Sequence, residues 1–442
     1  MSFPRYPSYK DSGVEWLGKV PAHWDVKRLG AIFRQVDEAG ENHLPILCVS
    51  IHDGVSDKEL GEHEMERKVT RSEDRSKYKK VEPGDLVYNM MRAWQGGFGT
   101  VEVPGMVSPA YVVARPRFPV STEIIEHQLR TPNAVEEMRR YSQGVTDFRL
   151  RLYWEEFKCL TVAIPSPAEQ SAIAAFLDQE TGKIDELVAE QRRLMELLKE
   201  KRQAVISHAV ARGLNPAAPL KPSGIDWLGD VPKHWDVRRV KSVSTFTTSG
   251  PRGWSERVVE EGHLFVQSGD LNDSLQVEFA TTKRVQVEAD AESSRTRLRD
   301  GDVVVCITGA KTGNVAVCVS VPEPAYVNQH LCLIRPSEKV QPVFLGVLLK
   351  SKIGQTYFEL SQYGLKQGIS LEDVREAPVL LPPLAEQAEI VSFLGAQTAK
   401  FDNLTAEAQR AIDLLQERRT ALISAAVTGQ IDVRRLAGKK AA

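Results

Sequence analysis

The sequence predicts an α+β fold in which two pseudo-symmetric mixed α/β domains are joined by two long antiparallel coiled-coil helices. Three observations predict it. A Trp-rich segment occurs twice: residues 12–29 read SGVEWLGKVPAHWDVKRL and residues 223–240 read SGIDWLGDVPKHWDVRRV, with twelve of eighteen positions identical at an offset of 211. A second segment repeats at an offset of 217, where IPSPAEQSAIAAFLDQETGKIDELV from Ile164 matches LPPLAEQAEIVSFLGAQTAKFDNLT from Leu381. Each copy of the second segment opens a helical pattern of about 45 residues, roughly 65–70 Å long at 1.5 Å per residue. A helix of that length cannot bury its apolar stripe inside one small domain, so the two are expected to pair. A duplicated chain folds as two similar halves and implies paired, equivalent contacts with something outside itself.

The elements follow in order. Residues 1–165 hold the first Trp-rich segment and the first domain. The first long helix takes residues 166–213. Ser166 is placed at its N-cap, Pro167 at N1 and Glu169 at N3, a capping box with the favoured first-turn proline. Leu177, Ile184, Leu187, Leu194, Leu198 and Val205 then recur at heptad spacing, and Gly213 is the stop. Residues 214–382 hold the linker NPAAP, the second Trp-rich segment and the second domain. The second helix takes residues 383–428, with Leu394, Phe401, Leu404, Ala411, Leu415 and Leu422 in the same register. Its cap is weaker, because Pro383 stands where Ser166 stood. Residues 429–442 form a tail expected to fray. Inside the domains, β-branched runs alternate with turn signals, as in GDLVY from Gly84 and GDVVV from Gly301. PAYV at Pro109 and PAYV at Pro324 read as a further corresponding pair. Between these landmarks the stretches 30–164 and 241–381 differ freely. A shared frame with different loops points to one fold carrying two specificities.

Composition narrows the class. The chain is 42% hydrophobic and 26% charged with a net charge of -2, so no global basic excess announces nucleic acid, although a local basic groove is compatible with it. Five scattered cysteines make no CxxC, which suggests neither a zinc site nor a disulfide framework and fits a cytoplasmic protein. The N-terminus MSFPRYPSYK lacks a signal-peptide core, and no apolar run reaches membrane-spanning length.

The motifs WLGxVPxHWxVxRL, GDL/GDV, PAYV and IPxPxEQxxIxxFL, in that order and present twice, resemble the specificity subunits of type I restriction–modification enzymes. The resemblance covers essentially the whole chain. It implies that the two variable domains are target-recognition domains, each reading one half of a split, asymmetric site in double-stranded DNA. It implies that the long helices dock two methyltransferase subunits, and that two restriction/translocase subunits complete the assembly. It also implies that N6-adenine methylation and cleavage are done by those partners, which would bind S-adenosylmethionine, ATP and Mg, leaving this chain without a cofactor. The residues agree: no DPPY- or NPPF-like tetrapeptide and no FxGxG loop is present. GAKTG at Gly309–Gly313 lacks the spacing of a phosphate loop, and Glu156-Phe157-Lys158 is an acid-x-Lys pattern of the kind chance supplies.

Candidate DNA contacts follow from residue type and placement. Residues 67–80 carry seven basic and two acidic side chains, Lys79 and Lys80 among them, readable as a phosphate-tracking patch or as a solvated loop. Arg92, Trp94 and Gln95 lie in a Gly-rich loop after a strand, and Arg and Gln are the side chains that read guanine and adenine bidentately. Thr308, Lys311 and Thr312 occupy the matching loop of the second half. Arg149 and Arg151 in one half, and Lys366 and Gln367 in the other, form a second corresponding pair of loops. Trp16, Trp24, Trp227 and Trp235 read as anchors of the Trp-rich segments, and His23 and His234 as structural. Two competing functions remain: a scaffold that binds protein only, and an enzyme with duplicated sites. The second would need shared catalytic residues, which MRAWQGG and TGAKTGN do not have.

Overall fold

A computed structural model describes residues 3–51, 54–59, 75–144, 150–362 and 368–436. The chain folds as two units. Unit 1 comprises Met1–Gln191 with Arg410–Ala442, and unit 2 comprises Arg192–Gln409.

In unit 1, β1 (Tyr9–Asp11) and β2 (Lys19–Pro21) form a hairpin, and β3 (Asp25–Arg28) pairs antiparallel with β12 (Thr161–Ile164). One helical turn, α1 (Leu29–Ile32), leads into an antiparallel sheet ordered β4 (Phe33–Val36), β11 (Tyr111–Pro116), β8 (Leu86–Asn89), β9 (Phe98–Thr100). Two smaller pairs are β5 (Val49–Ser50) with β6 (Gly54–Val55), and β7 (Lys79–Val81) with β10 (Gly105–Val107). After α2 (Thr122–Leu129), α3 (Pro132–Tyr141) and α4 (Trp154–Phe157), the long helix α5 (Pro167–Arg212) runs for 46 residues. Phe33, Tyr88 and Phe98 of the sheet share one buried core with Leu129, Met138, Phe157, Ile173 and Leu422.

Unit 2 repeats the plan. The hairpin is β13 (Leu220–Pro222) with β14 (Asp230–Pro232), β15 (Asp236–Arg239) pairs with β24 (Pro378–Leu381), and α6 (Val240–Val243) is the single turn. The sheet is ordered β16 (Ser244–Ser249), β23 (Leu331–Pro336), β20 (Val303–Cys306), β21 (Val315–Val317), strand for strand the order of unit 1. The second sheet is larger here: β17 (Val258–Val259), β19 (Lys283–Val285), β18 (His263–Val266) and β22 (Ala325–Val327), with β18 and β22 parallel. The helices are α7 (Ala291–Thr296), α8 (Pro342–Lys350), α9 (Lys352–Leu360), α10 (Leu371–Glu376) and α11 (Leu384–Val427), the last of 44 residues.

The repeated motifs do the same physical work in each unit. In GDL/GDV the aspartate is buried and accepts a bidentate hydrogen bond from an arginine on the neighbouring strand: Asp85 from Arg115, at 2.9 and 2.9 Å, and Asp302 from Arg335, at 2.9 and 2.8 Å. Each carboxylate also accepts from a backbone N–H three residues earlier, at Glu82 and Arg299. In the EQ pair at the start of each long helix, the glutamine Oε1 accepts from the backbone N–H of Ser121 or Gln341, the N-cap residues of α2 and α8. Its Nε2 donates to the carbonyl of Pro165 or Pro382. The glutamate meets the Trp-rich segment: Glu169 with His23 Nε2 at 2.8 Å, Glu386 with His234 Nε2 at 2.8 Å. Both histidines are thus structural ties. Trp24 and Trp235 are fully buried and Trp16 nearly so, whereas Trp227 is 38% exposed and anchors less than the sequence suggests. Burial alone would raise the Glu169 carboxyl, but hydrogen bonds from His23, Ser166 and Trp24 more than offset it and hold its pKa below the usual carboxylate value.

Three expectations are corrected. The two PAYV tetrapeptides do not correspond. Tyr111 opens β11, whose counterpart is β23, while Pro324-Ala325-Tyr326-Val327 contains β22, the counterpart of β10; Arg115 of β11 and Arg335 of β23, with their aspartates, set the true register. The helix seam is phased differently from the sequence reading. Leu177, Ile184 and Leu198, then Leu394, Phe401 and Leu422, are buried as expected, but Leu187 (45%), Leu194 (43%) and Leu404 (38%) are exposed. The other seam position is filled by residues other than leucine, Thr181, Val188 and Met195 in α5 and Thr398, Thr405 and Ile412 in α11, so the leucines drew the wrong line. The tail does not fray at its start. Ile431 and Val433 enter the unit 1 core, the Asp432 N–H donates to the Pro4 carbonyl at 2.8 Å, and the Arg434 guanidinium lies 4.9 Å over the Tyr6 ring.

Removing the carboxylate from a buried pair leaves an uncompensated arginine and costs about 3–5 kcal/mol. Asp302→Ala should therefore speed amide exchange in β20 and β23 by on the order of a hundredfold or more, while β8 and β11 keep their protection. Glu169, with a folded pKa below its unfolded value of about 4.3, contributes stability above that value and loses it as pH falls through the folded one. Amide protection of residues 19–28, corrected for intrinsic rate, should fall between pH 5 and pH 3 and become flat in Glu169→Gln.

Candidate nucleic-acid interface

The loop after β8 and the loop after β20 are closed by equivalent hydrogen bonds but differ in side chains and in part of their backbone, Arg92 having φ -133° where Gly309 has φ 96°. Asn89 N–H donates to Gly97 O, and Cys306 N–H to Asn314 O, at 2.8 Å each. Inside, Gln95 N–H donates to Arg92 O and Thr312 N–H to Gly309 O. Gly96 (φ 87°) and Gly313 (φ 88°) close the two loops in the left-handed region that favours glycine. Trp94 therefore stands where Lys311 stands, Gln95 where Thr312 stands, and Met91 where Thr308 stands.

Each unit brings its two predicted loops together through an equivalent bond. Leu152 N–H donates to Met90 O in unit 1, and Ile369 N–H to Ile307 O in unit 2, both at 2.9 Å. Arg151 exchanges backbone hydrogen bonds with Gln143, and Thr308 bridges to Gly368. Arg149, Lys366 and Gln367 lie outside the described residues. Gln95, Arg151 and Lys311 are exposed, and Arg92, Thr308 and Thr312 half-buried. Trp94 is committed to its own loop, because its Nε1–H donates to Met91 O and the Arg139 guanidinium lies 5.9 Å from its ring. Lys311 Nζ reaches Gly269 O at 3.4 Å, and the Thr308 hydroxyl is hydrogen-bonded to His330 Nδ1, a partner the sequence reading did not single out. Beneath the first loop Tyr88 stacks on Phe157 at 4.4 Å; burial first, then the Glu156 charge, drives its phenol well above the ordinary value.

Lys79 and Lys80 lie elsewhere, on β7, in a different sheet from β8. Lys79 pairs with Asp37 at 3.4 Å and Lys80 with Glu41 at 2.6 Å, and the Lys80 hydrogen bond holds the Glu41 carboxyl low. Arg75 donates to the carbonyls of Asn42 and Leu44. These three cations of the basic stretch are thus engaged within unit 1, while its residues 67–74 lie outside the described residues. Among the described residues no group of three or more His, Cys, Asp or Glu side chains could hold a metal ion, and no helix is long and apolar enough to cross a membrane.

Residues 232–413 match the family described as the type I restriction modification DNA specificity domain. The chain is 24% identical over 293 residues to the type I restriction enzyme EcoBI specificity subunit of Escherichia coli, covering 61% of this chain and 58% of that protein. The EcoKI specificity subunit of Escherichia coli strain K12 is 23% identical over 287 residues, covering 62% of this chain and 58% of the relative. The chain thus spans little more than half the length of these relatives. In fold it is similar, at a TM-score of 0.69 and 18% identity over 92% of this chain and 98% of the other, to a chain solved in work on complex assembly and conformational transition of the type I R-M system. The HsdS subunit from Thermoanaerobacter tengcongensis is similar at a TM-score of 0.55 and 19% identity, over 93% of this chain and 98% of that one. Residues 232–413 thus match the type I restriction modification DNA specificity domain, and both halves of the chain are similar in fold to the HsdS subunit.

Proposed function

We propose that this chain is the DNA-reading subunit of a type I restriction–modification complex, each unit reading one half of a bipartite, asymmetric duplex site. One observation carries the reading: loops closed by equivalent backbone hydrogen bonds present different side chains, Met91, Arg92, Trp94 and Gln95 in one unit against Thr308, Gly309, Lys311 and Thr312 in the other. Base edges are told apart by side chains, whereas the frame only positions them. Arg151, exposed and joined to the first loop, suits phosphate or guanine, and Lys311 suits phosphate. The long helices recruit two methyltransferase subunits and, through them, two restriction/translocase subunits. Supporting this, Leu187, Leu194 and Leu197 of α5 stand exposed at steps of seven and three residues, outside the seam, as does Leu414 of α11 at 65%; exposed apolar rows mark protein contacts. Methyl transfer from S-adenosylmethionine and ATP- and Mg-dependent cleavage belong to the partners, in the cytoplasm, and this chain is not itself catalytic.

Co-expression with the methyltransferase, followed by mapping of N6-methyladenine across the host genome, should return one split motif with a fixed gap. Replacing residues 241–381 with the corresponding stretch of another specificity subunit should change one half of that motif. A change in both halves, or in neither, would overturn the two-reader function.

A further inference from the structure

The turn between β22 and β23, residues 328–330, was not among the sequence candidates, yet it lies against the second loop. It is held by three neighbouring segments and by one hydrogen bond of its own. Asn328 N–H donates to Val266 O at the end of β18, and Gly250 N–H at the end of β16 donates to Asn328 O. Gly250 packs so closely that a Cβ there would fall 2.0 Å from Val327 O. Ile307 N–H donates to His330 O, and Leu331 N–H closes the turn on Asn328 O. The fold thus holds the backbone of Gln329 and His330 rigidly at the rim that carries Thr308.

The side chains form a relay. His330 Nδ1 is bonded to the Thr308 hydroxyl, and Gln329 Nε2 lies 3.2 Å from His330 Nε2. An amide nitrogen can only donate, so the ring Nε2 accepts and Nδ1 carries the proton towards Thr308. This leaves Gln329, half-exposed, with a free Oε1 acceptor and one free N–H donor in a defined orientation. That is the complement of adenine in the major groove, which offers the N6 amino donor and the N7 acceptor. Unit 1 has the same turn without the apparatus. Tyr111 N–H donates to Ser108 O as Leu331 N–H does to Asn328 O, and Ala110 N–H to Ser108 Oγ as His330 N–H does to Asn328 Oδ1, but the side chains are Ser108, Pro109 and Ala110.

We propose that Gln329, aimed by His330, is a specificity-determining residue of unit 2 that reads an adenine edge in its half-site, and that unit 1 has no reader at this turn. The inference rests on the DNA-reading function above. His330 is a positioning residue, acting through Gln329.

The test uses the full chain co-expressed with its methyltransferase, with N6-methyladenine mapped genome-wide; the 241–381 exchange identifies which half belongs to unit 2. If the unaltered chain directs no split motif, the DNA-reading function fails, whatever the variants do. Given a split motif, Gln329→Ala should weaken the preference for adenine at one base pair of the unit 2 half by about tenfold or more, leaving the unit 1 half unchanged. Gln329→Glu, an acceptor only, should move that preference towards cytosine. His330→Leu should relax the same base pair and no other. A Gln329→Ala chain that keeps the full motif, or relaxes a base pair in the unit 1 half, overturns the proposal. Should Gln329→Ala abolish methylation, Gln329→Glu decides, since active methylation with an unchanged half-site overturns it as well.

Discussion

Two side chains in the first turn of each long helix, a glutamate and a glutamine in adjacent positions, carry the constraint on which each unit depends. The glutamine stitches the helix start to the N-terminus of a domain helix and to the loop leaving the last strand. The glutamate fastens the Trp-rich segment across it through a histidine. Domain, hairpin and long helix therefore meet at one polar joint in which Glu169, Gln170 and Gln387 are buried. Buried amide and carboxylate groups left unpaired are costly, so the joint tolerates one arrangement and rejects its alternatives. A loop displayed at the far end of the sheet inherits that definition through β11 and β8 in unit 1, and through β23 and β20 in unit 2.

Much of this was legible in the chain. The duplicated segments marked the helix starts, the capping box at Ser166 and the stop at Gly213 proved to be where the residue types placed them, and the GD motifs flanked the expected strands. What was illegible depended on pairing in space. PAYV repeats as a string, but strand register is decided by hydrogen-bond partners, and the aspartate–arginine pairs put the two copies on different strands. Leucine spacing suggested a helix seam because leucine is the usual occupant, yet the half-buried second line of the seam runs through Thr181, Val188 and Met195, and ion pairs flank it at equivalent places: Arg202 with Asp402 in unit 2, Arg419 with Asp185 in unit 1.

The candidate site was half legible. Sequence paired the candidate loops of the two halves by matching positions, and the structure joins the loops of each unit through Met90–Leu152 and Ile307–Ile369. It missed the commitments of individual side chains. Trp94, a candidate contact in sequence, turns its N–H into its own loop, and Lys79 and Lys80, readable as a phosphate-tracking patch or a solvated loop, face Asp37 and Glu41. Local composition reports which groups exist; only the packed neighbourhood reports which of them are already engaged.

The close of the chain over Tyr6 and Pro4 bears on the order of assembly. Unit 2 is drawn from one unbroken run ending at Gln409, so every group it needs has been synthesised by then. Unit 1 begins earlier but borrows Leu422, Val427, Ile431 and Val433 for its interior. On the ribosome, unit 1 must keep an open hydrophobic face until residues 422–433 emerge, whereas the last segment unit 2 needs has already been made at Gln409.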